Sequence, residues 1–168
     1  MRLFIAIRFS RPVLETLKQA QEDLRRQGAR GNFSREENLH LTLAFLGETG
    51  DAAGARAAMA EACAEGGTFP LTVAGTGRFG ELWWAGIAKN RRLEEVERAL
   101  RTALTARGFV LEKRDFRPHV TLARQVKSPR PLRLAVPERT MTVKGISLMR
   151  SERRDGKLIY TELAYEKL

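Results

Sequence analysis

Apolar and polar residues alternate with a period of two at the start of the chain. Leu3, Ile5, Ile7 and Phe9 fall on one face of a strand predicted over Arg2 to Phe9. The period then changes. Ser10 is placed to cap a helix with Pro12 in its first turn, and Val13, Leu14, Leu17 and Leu24 recur at helical spacing up to Gly28. A second strand is predicted over Leu39 to Phe45, with Leu39, Leu41, Leu43 and Phe45 facing a core and Gly47 stopping it. An Ala-rich helix over Asp51 to Ala64 ends at Gly66-Gly67. Phe69 to Ala74 and Leu82 to Ala88 read as a hairpin. Asn90 to Ala106 reads as a helix with Leu93, Val96, Leu100 and Leu104 on one side, closed by Gly108. Val120 to Ala123 is a further strand, and Ser128 to Pro131 a loop. Met141 to Arg150 and Leu158 to Tyr165 form a terminal hairpin around the turn pair Asp155-Gly156.

Strands and helices in this mixed order imply an α+β fold, with helices packed outside mostly antiparallel sheets. No stretch has the composition of a disordered linker, so residues 1–168 are expected to form a single domain whose lobes share an interface. The longest apolar run near the N-terminus, Leu3 to Ile7, is too short for a signal-peptide core or a membrane span. A soluble cytoplasmic protein without membrane association, and a monomer, is the expectation. The single cysteine, Cys63, lies in the Ala-rich helix and reads as a buried structural thiol.

Charge adds a hint of function. Lys and Arg number 30 against 20 Asp and Glu, a formal net charge of +10, with the cations spread along the whole chain. A folded body of that sign attracts polyanions such as nucleic acid. Arg25, Arg26, Arg30, Arg91, Arg92, Arg130, Arg133, Arg153 and Arg154 are the cations that could line an RNA path.

The chain holds only two histidines, and their settings match: Leu39-His40-Leu41-Thr42-Leu43 and Pro118-His119-Val120-Thr121-Leu122. On a strand, His40 and Thr42 project to one side while Leu39, Leu41 and Leu43 pack behind them; His119 and Thr121 project together in front of Val120 and Leu122. One such motif is commonplace. Two that account for every histidine suggest two lobes related by a pseudo-twofold, each presenting a His-Thr pair to one cleft. Two imidazoles facing each other across a phosphate suit general acid–base hydrolysis, one neutral and taking a proton from water, the other protonated and giving a proton to the leaving oxygen. The Thr hydroxyls and nearby backbone N–H groups can hold the nonbridging oxygens. Which histidine is the acid stays open on these grounds. Zinc would want three or four ligands, and neither motif contains a His-x-His, a Cys-x-x-Cys or an acidic neighbour, so neither metal nor cofactor is expected.

The paired motifs resemble those of the two-histidine (2H) phosphoesterase superfamily, and within it the RNA 2′,3′-cyclic phosphodiesterases, also called 2′-5′ RNA ligases. The similarity extends to the opening Arg2-Leu3-Phe4-Ile5-Ala6-Ile7, to Glu37 through Gly47, to Phe116 through Arg124, and to Leu148-Met149-Arg150-Ser151 and Tyr160. The resemblance implies a bilobal α+β fold with the active cleft between two sheets. It also implies metal-independent opening of a terminal 2′,3′-cyclic phosphate on RNA, tRNA fragments among the possible substrates, and a reverse 2′-5′ ligation. By the same resemblance His40 is the proton donor, His119 the proton acceptor, Thr42 and Thr121 phosphate ligands, and Arg124 a further phosphate contact. Phe33 stands where relatives often carry Trp, a departure that keeps an aromatic ring at that position. A non-catalytic RNA- or nucleotide-binding module, and a phosphodiesterase for small nucleotide cyclic phosphates, are the alternatives.

Two other signals are set aside. Gly75-Thr76-Gly77-Arg78-Phe79-Gly80 spells a dinucleotide fingerprint but runs into the strand-like Glu81 to Ile87 instead of a helix, so it reads as a hairpin turn. Trp83 and Trp84 point to opposite faces of that strand, one into the core and the other placed either to stack on a base or to pack under a loop.

Overall fold

The computed structural model describes residues 1–168 and contains nine strands, three α-helices and a short 3-10 turn. The expected α+β class holds: every strand pair is antiparallel, in two sheets. The first sheet has the order β3-β1-β8-β9, from β3 (His40–Glu48), β1 (Arg2–Arg8), β8 (Gly145–Arg154) and β9 (Lys157–Lys167). The second has the order β2-β6-β5-β4-β7, from β2 (Arg30–Phe33), β6 (His119–Lys127), β5 (Leu82–Ile87), β4 (Phe69–Phe79) and β7 (Arg139–Val143). No helix is long and apolar enough to cross a membrane.

The two histidine strands thus belong to different sheets, and β3 and β6 lie against each other where the sheets meet. The sheets are not halves of the chain, however. The first takes strands from both ends of the sequence, and the chain passes between sheets several times. The split at Lys144 is the sharpest instance. Met141 to Arg150 was expected to be one strand of the terminal hairpin, but Met141 pairs with Leu71 in the second sheet while Gly145 pairs with Lys167 in the first. Gly145 makes the crossing possible, because a Cβ there would fall on the Tyr165 ring and the Glu166 carbonyl. The Asp155-Gly156 turn is where periodicity placed it, with φ of 50° and 76°.

Each sheet buries its inner face under helices. Leu3, Ile5, Ile7, Leu41 and Leu43 form one continuous core with Ala55 and Met59 of α2 (Ala52–Cys63) and Leu93, Val96 and Leu100 of α3 (Arg91–Ala106). Val73, Val120 and Leu122 pack against Val13 and Leu17 of α1 (Arg11–Arg26). Cys63 is buried, and that burial pushes its thiol up to about 11, which leaves it inert as a nucleophile at neutral pH. Asp51 and Asn90 cap their helices by accepting from the amides of Gly54 (2.8 Å) and Leu93 (3.0 Å). Ser10 stands at the N-cap of α1, as expected, but its hydroxyl makes no capping bond.

One expectation failed for a clear physical reason. Phe45 was expected in the core and is 57% exposed. On β3, Thr42 pairs with Ala6 and Ala44 with Ile5, which leaves Leu43 as an extra, unpaired residue. Such a bulge reverses the alternation beyond it. Phe45 therefore lands on the His40 side, opposite Phe4, and Leu46 takes its place in the core. The dinucleotide-like glycines lie in strand β4, and only Gly80-Glu81 turns.

Candidate active site

Both histidines are held by the same local device. The Nδ1 of His40 lies 2.7 Å from the carbonyl of Asn38, and the Nδ1 of His119 lies 2.6 Å from the carbonyl of Arg117. A carbonyl only accepts, so Nδ1 carries the proton in each ring and Nε2 is the atom left for chemistry. Two aromatic rings flank each imidazole. Phe4 and Tyr160 stand 4.9 and 5.3 Å from His40, Tyr160 edge-on; Phe79 and Trp84 stand 5.4 and 6.2 Å from His119, Phe79 edge-on. These contacts limit ring rotation on both sides.

The two settings differ in what Nε2 meets. His40 Nε2 accepts from, or when protonated donates to, the hydroxyl of Thr42 at 2.8 Å. His119 Nε2 has no such partner in the protein. Burial draws the pKa of His40 below its ordinary value; the Asn38 carbonyl opposes this, and the charges of Arg124 and His119 reinforce it. His40 therefore feels both groups from the opposite sheet. Thr42 and His119 line one cavity of about 770 Å³, together with Phe45, Phe79 and the segment Leu111 to Arg117. Thr121 shares the His119 face of β6 and pairs with Trp84.

Arg124 reaches the same face through a second bulge. On β6, Thr121 pairs with Trp84 and Ala123 with Trp83, so Leu122 is the extra residue. Leu122 and Ala123 are both buried, and Arg124 emerges on the cleft side. The carbonyl of Leu122 accepts from Gln21 Nε2 (3.0 Å) and from the Ser34 amide (2.9 Å). Gln21 also donates to the Ser34 carbonyl at 2.7 Å, and the Ser34 hydroxyl donates to the Thr121 carbonyl at 3.0 Å. Gln21, buried on α1, had no signal in the sequence beyond being a polar residue on an apolar helix face.

The bulges make the two strands equivalent over six residues. His40, Thr42 and Phe45 correspond to His119, Thr121 and Arg124, with the extra residue three positions after each histidine. The sixth position carries an aromatic ring on one strand and a guanidinium on the other.

Other expected contacts resolve differently. Trp83 packs in a small core with Leu24, Ala29 and Val126. Trp84 lies under Phe79 and His119, over Gly77, whose position leaves no room for a Cβ beside the indole. It supports the site from beneath, while the exposed rings that line the cavity are Phe45 and Phe79. Phe33 packs beside Trp83 and carries the Arg25 guanidinium over its face at 4.2 Å. Arg92 is tied to the Gly66 carbonyl at 2.5 Å and to Glu95, away from the histidines. Nowhere do three His, Cys, Asp or Glu side chains converge as a metal would require.

The sequence pattern of the 2′-5′ RNA ligase superfamily matches residues 12–155. The chain is 34% identical to the RNA 2′,3′-cyclic phosphodiesterase of Thermotoga maritima over 132 residues, covering 74% of this chain and 70% of that one. It is 39% identical over 103 residues to the protein of the same name from Geobacillus stearothermophilus, covering 57% of this chain and 33% of that one. Its fold superimposes on E. coli LigT complexed with 3′-AMP with a TM-score of 0.84 at 28% identity, covering 99% and 97% of the two chains.

Proposed function

The chain belongs to the 2′-5′ RNA ligase superfamily, and from that premise we propose that it opens RNA terminal 2′,3′-cyclic phosphates to 2′-phosphates by metal-independent acid–base catalysis. The observation that carries this reading is the pair of imidazoles, each with Nδ1 tied to the carbonyl two residues upstream, with Thr42 and His119 lining one cavity and His40 within electrostatic reach of His119 and Arg124. A binding-only module would have no use for two rings fixed in the same tautomer.

In the proposed reaction the phosphate sits between the two pairs. Its nonbridging oxygens meet Thr42, Thr121 and Arg124, whose charge offsets what accumulates as the ring opens. His119 takes a proton from water through Nε2. The water oxygen forms a bond to phosphorus, the bond from phosphorus to the 3′ oxygen breaks, and His40 Nε2 gives its proton to that oxygen. The product keeps the phosphate on the 2′ oxygen. The 5′ hydroxyl of another RNA in place of water gives a 2′-5′ linkage by the same proton transfers, without ATP. RNA ends, tRNA fragments among them, are the proposed substrates.

The lowered pKa of His40 bears on its role. Without substrate it is predominantly neutral at neutral pH; a bound phosphodiester anion favours its protonated form and recharges it. The protonation roles can be read from pH profiles. With His119→Ala, the residual kcat/KM should fall as pH rises, because the protonated fraction of His40 is lost, with a midpoint below 6.5. With His40→Ala, the residual rate should rise with pH, the slope that general-base catalysis requires. Opposite slopes would exchange the two roles.

The direct test is incubation of the protein with an oligonucleotide ending in a 2′,3′-cyclic phosphate in the presence of EDTA. Conversion to the 2′-phosphate at an undiminished rate is expected. A requirement for added divalent metal would refute the metal-independent mechanism, and a 3′-phosphate product would refute the assignment of the leaving oxygen.

A further inference from the structure

The cleft face of the first sheet continues past His40 into a cationic row. Arg2 pairs with Ser151 on β8, and Ser151 pairs with Tyr160 on β9, so the three stand side by side across the sheet. Their face is the cleft face, because Phe4, two residues from Arg2, and Tyr160 both contact the His40 ring. Arg153, two residues beyond Ser151, projects to the same side. Burial raises the pKa of the Tyr160 hydroxyl, and the positive charges of Arg124, Arg2 and Arg153 pull against it, which places all three guanidiniums within electrostatic reach of the phenol.

These cations have no carboxylate partner. Glu48 faces the N-terminal amine at 3.4 Å. Glu152 is held between Arg150 (3.2 Å) and Arg154 (2.7 Å). Glu162 accepts from Ser147 at 2.6 Å and lies 3.6 Å from Arg8. Arg2 and Arg153 are exposed and form no ion pair; Arg153 only donates weakly to the Gly156 carbonyl at 3.5 Å. Two unpaired guanidiniums and a phenolic hydroxyl converging beside the active histidine describe a site for an anion.

The side of the cleft on which this site lies says which anion. On the reading above, His40 protonates the ribose 3′ oxygen, so the ribose and the RNA strand 5′ to it lie on the His40 side. The water or 5′ hydroxyl that attacks comes from the His119 side, where Phe79 and the segment Leu111 to Arg117 border the open cavity. We propose that Arg2, Tyr160 and Arg153 form a second phosphate site that takes the internucleotide phosphate 5′ to the terminal nucleoside. The enzyme thereby selects RNA ends over free nucleoside cyclic phosphates. This inference rests on the proposed phosphodiesterase activity and on the role given to His40.

The test compares kcat/KM for cytidine 2′,3′-cyclic phosphate with that for a cytidine dinucleotide ending in the same group. Wild-type enzyme should favour the dinucleotide by about tenfold or more, the scale of one charge-assisted contact. The preference should shrink by about tenfold in Arg2→Ala/Arg153→Ala. It should shrink a few-fold in Tyr160→Phe, which keeps the ring against His40 and loses only the hydroxyl. A dinucleotide whose internucleotide linkage is an uncharged methylphosphonate should be turned over no better than the mononucleotide. Equal use of both substrates by the wild type, a preference that survives in the variants, or a methylphosphonate that keeps the advantage would each overturn the second site. Failure of the wild type to turn over either substrate would instead refute the phosphodiesterase reading, and the site with it.

Discussion

Replacing His40 or His119 by alanine is expected to lower kcat/KM toward a cyclic-phosphate-ended oligonucleotide about a thousandfold. The scale is that of a single positioned acid or base, about 10²- to 10⁴-fold. The double variant should be little worse than either single one. Proton removal from water and proton delivery to the 3′ oxygen belong to one displacement, so losing either half forfeits most of what the other contributes. The fold should survive all three changes, because both rings are only partly buried and their hydrogen bonds go to neighbouring backbone and, for His40, to the Thr42 hydroxyl on the same strand. Initial rates on a defined oligonucleotide, with melting curves for each variant, make the check. A loss under tenfold for either single variant, with folding intact, would remove that residue from the proton-transfer chemistry.

The second large effect is on stability. Leu41 lies between His40 and Thr42 on β3, points the other way, and is fully buried in the main core. Leu41→Ala removes that side chain and leaves a cavity among residues contributed by both β1 and the helices behind it. The cost expected for such a truncation is about 2–5 kcal/mol. For a chain of this size that corresponds to a fall in Tm of roughly 2–4 °C per kcal/mol, or about 10 °C. Activity measured well below the new Tm should fall much less than in the histidine variants, since the polar face keeps its groups. A change in Tm of under 2 °C would mean that the back of the strand does not anchor the site.

The readable part of this molecule was the placement of its two His-Thr pairs. Two histidines in matching polar-apolar contexts located both site strands, and the alternation of Leu41 with Thr42 and of Val120 with Thr121 told which side of each strand is which. Helix limits and the Asp155-Gly156 turn were equally plain, because caps and turn residues act over a few positions. Three features were not legible. Phe45 and Arg124 stand on the cleft face only because Leu43 and Leu122 are unpaired, and a bulge is a property of two strands in register. Strict alternation would have put both side chains in the interior. The short strand β2 has too few apolar residues to show a period, and it exists because β6 offers it a partner. The break at Lys144 separates strands of two sheets within one β-rich run, and its cause, the Tyr165 ring lying against Gly145, is 20 residues downstream in sequence.

The division of strands between the sheets also sets an order on synthesis. The sheet that holds His119 has all its strands once the ribosome has passed Val143, whereas the sheet that holds His40 still lacks β8 and β9. Until those emerge, β1 and β3 form a two-stranded ribbon with an open edge, too small to be stable alone. One half of the proposed proton-transfer pair thus gains its scaffold late, together with Tyr160, and a nascent chain stalled before β9 would carry both histidines in its sequence without the complete sheet that positions His40 opposite His119.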